Sequence, residues 1–386
     1  MITIYGKYAD AVVYTTDNQE YAIDTYARKQ LQMLCDHPSA QDSKIRVMPD
    51  VHPGKVGTIG LTMTVGDSLL PNLVGADIGC GMIIAEIKTK HIEFEKLDTV
   101  IRERVPCGGN IRKTAHRLGH SDSISGLLCY KSINSTNASL SIGTLGGGNH
   151  FVEIDKDDYG KFYIVIHSGS RHTGLEVTEY YLKKGQHEQH MKKQGGYAPY
   201  EMTCLSGSLL EDYLHDLSIM QGFAAKNREA ILDEITKGMK WKITNSYSCI
   251  HNYVDFSGKV PVLRKGAISA GNGEKVIIPI NMHDGIILGT GLGNEDWNCS
   301  APHGAGRIYK RSEVKEHYTV SEFKKVMEGI HSICINKDTL DESPFAYRKL
   351  EDIAGAIGST VKIDKVIKPV YNFKAGGKAS SPSGKI

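Results

Sequence analysis

Apolar positions recur along this chain with two different spacings. From Ile23 to Leu34 the spacing is helical, while Ile45-Arg-Val-Met-Pro reads as a short strand running into a loop. Leu73-Val-Gly-Ala-Asp-Ile and Met82-Ile-Ile-Ala-Glu-Ile read as two strand-like runs flanking Gly79-Cys80-Gly81. Phe162-Tyr-Ile-Val-Ile-His167 is a buried strand by its apolar run, with a histidine at its end. The longest helical stretch, Leu209 to Gly238, carries Leu210, Tyr213, Leu214, Leu217, Met220, Phe223 and Ala224 at helical spacing, which predicts a core-facing helix. Asn227 and Arg228 near its middle are placed to reach a site from the polar face. Lys183 to Gly207 is polar and Gly-rich and predicts an insertion or mobile flap. There is no internal repeat and no regular βαβ alternation. The expected architecture is α+β, a single compact domain rather than a doubly wound sheet.

Composition bounds this picture without changing it. The chain has 386 residues, 40% of them hydrophobic, enough for a large core. Lys+Arg is 46 against Asp+Glu 44, a net charge of +2, which neither demands nor excludes nucleic acid. No signal-peptide pattern and no run of about 18 apolar residues is found, so a soluble cytoplasmic protein without a membrane span is expected. Eight cysteines occur without CxxC pairs and read as small buried residues in a reducing compartment. Cys80 is the exception, because of its neighbours.

Those neighbours carry chemistry. Asp77 and Cys80 are three apart on a Gly-rich turn, a spacing that can aim both side chains at one point. Three histidines sit in similar Gly/Ser/Asn-rich contexts: His150 after Gly148-Asn149, His167 before Ser168-Gly-Ser-Arg171, and His251 before Asn252. One carboxylate, one thiol and three imidazoles suit a divalent transition metal such as Zn, Mn or Fe. Further on, His303-Gly-Ala-Gly-Arg307 sets a histidine beside two glycines and an arginine. A neutral imidazole can attack phosphorus, and an arginine fork can hold phosphate oxygens. No GxxxxGK[ST] loop, no strand-linked GxGxxG and no Lys-x-Asp-Gly appears, so a nucleotide must be held in another way. Gly143-Thr-Leu-Gly-Gly-Gly148 and His303-Gly-Ala-Gly306 are the candidate phosphate cradles.

Taken in order, these motifs resemble the RtcB RNA ligases over nearly the full length. The match runs through Met48-Pro-Asp-Val-His-Pro-Gly54, Val74-Gly-Ala-Asp77-Ile-Gly-Cys80-Gly, Gly143 to Glu153 and His167-Ser-Gly-Ser-Arg171. It continues through His251-Asn252, Arg264-Lys-Gly-Ala267, His303-Gly-Ala-Gly-Arg307 and Asp341-Glu-Ser-Pro-Phe-Ala-Tyr347. The resemblance implies one ligase domain over 1–374, with sheets flanked by helices around a central metal and nucleotide site. Beyond it, 375–386 is Gly/Ser/Lys-rich and is expected to be a flexible tail. The resemblance also implies that Asp77, Cys80, His150, His167 and His251 bind two Mn²⁺ ions, with the Cys80 thiolate shared. His303 is then the nucleophile that takes GMP from GTP. Nucleotide contacts are assigned to Asn149, Glu153, Arg171, Asn252, Asn281, Gly304, Ala305, Gly306, Arg307, Tyr347 and Lys374, with Asp50 close to the metals. The partner is RNA with a 3′-phosphate or 2′,3′-cyclic phosphate end and a 5′-hydroxyl end. Lys183, Lys184, Lys192 and Lys193 are the expected RNA-facing surface. In Pro279-Ile-Asn-Met-His-Asp-Gly285 the family's usual serine is missing, and Asn281 or His283 stands in its place, as in a shorter bacterial branch. RNA repair or tRNA splicing is the implied role; the alternative is a metal-dependent cyclic-phosphate phosphoesterase without ligation.

Overall fold

The computed structural model describes residues 1–16, 23–119, 124–191 and 199–375. Its larger sheet has seven antiparallel strands in the order Ile243–Ile250, Gly81–Ile87, Phe162–Ser168, Phe151–Lys156, Val361–Lys374, Gly285–Gly291 and Lys275–Asn281. Alternate side chains of a strand face opposite ways. Ile83, Ala85, Val152, Ile154, Ile164 and Ile166 pack outward against Leu97 and Ile101 of the helix Phe94–Arg104 and against Ile231 and Ile235 of the helix Ser208–Met239. Met82, Ile84, Phe151, Val165, Ile277 and Leu288 form a separate inner core. The sheet curls far enough for its two edges to meet, where the Cys249 thiol donates to the Lys275 carbonyl at 3.3 Å. That contact covers edges otherwise open to unwanted strand pairing.

The smaller sheet has six strands: Ile2–Ile4, Ala11–Val13, Ile45–His52, Ile59–Thr64, Val262–Lys265 and Asn252–Asp255. Ala11–Val13 runs parallel to Ile45–His52, and the other pairs are antiparallel. Regular pairing of Ile45–His52 with Ile59–Thr64 breaks between Val47 and His52, which leaves Asp50 on an irregular segment. Beside it, Ala267–Ser269 pairs with Ser300–Pro302, the strand that delivers His303.

The expected α+β domain is found, and several elements fall where the apolar spacing put them. Asp24 caps the helix Thr25–Cys35, its carboxylate accepting from the backbone N–H of Tyr26 and Ala27. Two expectations are corrected. Residues 73–78 are not a strand: Pro71 starts the short helix Pro71–Val74, and Gly75 at φ 94° ends it in a turn. The stretch 183–207 is not a flap throughout. The helix Arg171–Met191 runs through its first nine residues, with Val177, Tyr181 and Leu182 buried beneath it. Lys, Gln and Glu are good helix formers, so polarity there marks a solvated helix face rather than a loop. Thr203 and Leu205 are buried beyond it. Lys192 and Lys193 lie outside the described residues, as do residues 376–386 of the expected tail.

Candidate metal and nucleotide site

The inner ends of three paired strands converge. Met82 and Phe151 each pair with His167, so the turn before Gly81, the loop before Phe151 and the end of Phe162–Ser168 come level. Cys80 Sγ lies 3.4 Å from His150 Nε2 and 3.3 Å from His167 Nε2. His150 Nε2 is 3.1 Å from Asp77 Oδ2, and His167 Nε2 is 3.3 Å from His251 Nε2. The other ring nitrogens set the tautomers. His150 Nδ1–H donates to the Leu145 carbonyl at 2.8 Å, and His167 Nδ1–H to the Asn149 carbonyl at 3.1 Å. The His167 Nε2 lone pair therefore points at the sulfur. Burial, then the neighbouring imidazoles and the other cations, hold His167 and His251 well below the usual histidine range, so both stay neutral. Burial and Asp77 push the Cys80 thiol up. Burial alone would raise Asp77, but His150 outweighs it and holds the carboxyl low.

The ligand atoms of Cys80, His150 and His167 all lie within 4.8 Å of one another, and a soft divalent cation fits that set. Binding would displace the thiol proton. Gly169 is required beside them, because a Cβ there would run into the Asp77 carboxylate.

His303 abuts this cluster, its ring centroid 4.8 Å from that of His251. Its Nδ1 lies 2.7 Å from Oδ2 of Asp50, which is wholly buried. A carboxylate on Nδ1–H leaves Nε2 with a free lone pair. Next to it, Gly306 has φ 74°, and a Cβ would strike the Asp50 carbonyl and the Arg348 guanidinium. The loop after His303 therefore needs glycine on both counts.

From His303 a cavity of about 150 Å³ extends along the inner face of the seven-stranded sheet. Asn149, Glu153, Asn281, Gly304 to Arg307, Tyr347 and Lys374 all line it. Glu342, 3% exposed, gathers the cations at one end: it accepts from Lys374 Nζ at 2.7 Å and Tyr347 OH at 2.6 Å, and pairs with Arg307 at 3.3 Å and with Arg311. The Asn372 amide donates to Glu153 from the strand alongside.

Sequence comparison reaches the same set of segments. A family model described as "tRNA-splicing ligase RtcB" matches residues 30–133 and 129–375. The chain belongs to the RtcB family. It is 30% identical over 392 residues to an RNA-splicing ligase RtcB of Escherichia coli K12, covering 91% of this chain and 95% of that one. Another relative, RNA-splicing ligase RtcB2 of E. coli strain ATCC 25922, is 28% identical over 97% of this chain and 99% of its own. The tRNA-splicing ligase RtcB of Aeropyrum pernix matches a shorter part, 30% identical over 55% of this chain and 54% of its own.

Within this RtcB-family chain, some motif residues hold the site rather than line it. Asn252 does not line the cavity; its amide donates to the Asp77 carbonyl at 3.4 Å and accepts from Gly266 N–H at 3.0 Å. Arg171, at a left-handed φ of 59°, is held by the Gly108 carbonyl and Thr144 Oγ1, with Nη1 3.4 Å from His150 Nδ1. Asn281 lines the cavity, but its side chain is engaged with His283 and Asp284. The Gly143 and Thr144 N–H groups, expected to cradle phosphate, instead donate to Asn227 Oδ1 at 2.8 and 3.1 Å. Asn227 and Arg228 are buried, not on a polar face. Arg228 Nη1 donates to the carbonyls of Gly79 at 2.7 Å and Ser168 at 3.0 Å, tying two ligand-bearing segments together. Their spacing of three and four from Ala224 signalled burial on the apolar stripe. Glu342, Arg311 and Asn372 had no assigned role in the sequence reading; Glu342 stands inside a matched motif with Tyr347, but its cationic partners come from other segments.

Proposed function

We propose that this RtcB-family RNA ligase joins an RNA 3′-phosphate or 2′,3′-cyclic phosphate end to a 5′-hydroxyl end through a guanylylated His303. GTP is the nucleotide, and Asp77, Cys80, His150, His167 and His251 hold two Mn²⁺ ions. The observation that carries this reading is the His303–Asp50 contact of 2.7 Å, standing between the donor cluster and the cavity. His303 Nε2 attacks the α-phosphorus, the bond to the β-phosphate oxygen breaks, and pyrophosphate leaves. Asp50 keeps the Nδ1 proton and balances the charge that develops on the ring. An oxygen of the RNA 3′-phosphate then takes the guanylyl group and His303 is released. The 5′-hydroxyl attacks the activated 3′-phosphate and GMP departs. A cyclic phosphate is first opened to a 3′-phosphate at the same centre. Bound metal would supply charge neutralisation for the phosphates.

Tyr347, Lys374 and Arg307 line the base end, Glu153 reads the base edge, and Asn149 contacts phosphate. The ligase domain spans 1–374 in this reading, and RNA repair or tRNA splicing is its use. The test is incubation with α-³²P-GTP and Mn²⁺, followed by a denaturing gel and acid treatment. An acid-labile label, absent from His303→Ala, is the expected result. No label from any nucleotide, with cyclic-phosphate opening retained in His303→Ala, would replace ligation by simple hydrolysis.

A further inference from the structure

Behind Glu153, on the same face of the same strand, stands a second acid. Asp155 lies two residues along Phe151–Lys156, so both side chains project into the curled sheet. It is 0% exposed, opposite Tyr163 and Pro369 in the flanking strands. Among the described residues, no donor reaches either of its oxygens. The acid beside it on that face is Glu153. A carboxyl buried without a donor is held neutral, and its proton needs an acceptor, which an ionised Glu153 offers on the same face. The proton's location follows from the surroundings. Asn372 donates to Glu153 and Lys374 stands near it, and both favour the ionised form of Glu153. Nothing comparable favours ionised Asp155. Burial pushes both carboxyls up, Asp155 further, in keeping with a proton resident there.

A protonated neighbour changes what Glu153 can recognise. An ionised carboxylate only accepts hydrogen bonds, whereas a protonated one also donates. Guanine offers two donors on its edge, N1–H and the 2-amino group. Adenine offers an acceptor, N1, beside a single amino donor. Resting on the nucleotide-transfer reading above, we propose that Asp155 is a positioning residue for base selection. As a neutral acid it donates to Glu153, keeping that side chain an acceptor-only carboxylate that takes guanine and refuses adenine.

Asp155→Leu removes the donor and leaves Glu153 in a more apolar pocket, where its own protonation is favoured. Asp155→Asn restores an uncharged donor. Affinities for GMP and AMP, measured by calorimetry in the presence of Mn²⁺, give the readout. Wild type should prefer GMP by about 100-fold or more, because a site built to pair with donors rejects an analogue lacking one. Asp155→Leu should shrink that preference about tenfold or more, and Asp155→Asn should keep it. Thermal melting of each variant checks that it is folded, so that a changed preference reports on base selection. A preference unchanged in Asp155→Leu, lost equally in Asp155→Asn, or absent from wild type overturns the proposal. Covalent guanylylation of wild type, run alongside, tests the ligase reading separately: if it fails, the affinity ratios still decide the role of Asp155.

Discussion

His303 and Asp50 stand 253 residues apart in sequence and 2.7 Å apart in space. A buried carboxylate on Nδ1 fixes the tautomer that leaves Nε2 nucleophilic, and Asp50→Asn removes both that preference and the balancing charge. Guanylylation by Asp50→Asn should therefore slow by about 100-fold or more, with little change in KM for GTP. A rate within about threefold of wild type would show that the contact does not orient the ring. Cys80 Sγ stands within 3.4 Å of two histidine Nε2 atoms, so Cys80→Ala should lower bound metal, measured by elemental analysis after gel filtration. Unchanged metal content would remove the thiol from the donor set. The motif residues were legible because each carries its chemistry in a Gly-, Ser- or Asn-rich context. The Asn227 clamp was not: helical spacing puts the amide on the apolar stripe but does not say which backbone groups it meets there. Only the assembled structure shows that this amide occupies the very N–H groups the glycine loop offered for phosphate.

At the level of elements, periodicity located the helices Thr25–Cys35 and Ser208–Met239 within about two residues, the usual scatter at helix ends. It failed at 73–78, where an apolar run between Pro71 and Gly79 has no room for a strand, and at 183–191, where charge concealed a helix. Neither error touches the segment that gathers the cations of the cavity beside His303. The 3-10 turns Leu340–Glu342 and Pro344–Ala346 hold Glu342 against the long strand Val361–Lys374 through Lys374. Burial alone would raise the Glu342 carboxyl, but Lys374, Arg311 and Arg307 outweigh it and hold it down at about 2, against an ordinary 4.5. A depressed folded-state value gives stability that is full above the unfolded value and is lost as pH falls through the folded one. Wild type should thus exceed Glu342→Gln by about 3 kcal/mol near neutral pH, and the gap should close as pH falls from about 4.5 towards 2. Urea melts of both proteins across that window measure it. Parallel losses at every pH would mean that Glu342 is not the titrating group.

For the whole molecule, near-neutral net charge hides where a polyanion would lie, and only the fold resolves it. Among the described residues no helix is long and apolar enough to cross a membrane. The lysines picked from the sequence separate: Lys183 and Lys184 are exposed on the helix Arg171–Met191, about 18 Å along it from Arg171 at the helical rise. A groove of about 940 Å³ lies closer to the chemistry. Arg102, Arg104, Arg112 and Lys113 line it, and it shares Lys374 with the cavity beside His303 and Gly108 with the Arg171 clamp. Arg112 is spent on Glu234 at 2.9 Å and on the Arg104 carbonyl, which shapes the groove wall. Arg102 and Lys113 are exposed in it. Each phosphate contact on a single strand contributes about 0.7 to the slope of log affinity against log salt. The double change Arg102→Gln with Lys113→Gln should therefore raise KM for RNA and flatten that slope by about 1.4. Lys183→Gln with Lys184→Gln should leave the slope alone. Salt-dependent ligation, with His303 guanylylation in the absence of RNA as the control, separates the two surfaces. A slope that flattens only in the Lys183 and Lys184 variant would move the RNA path from the groove to the helix.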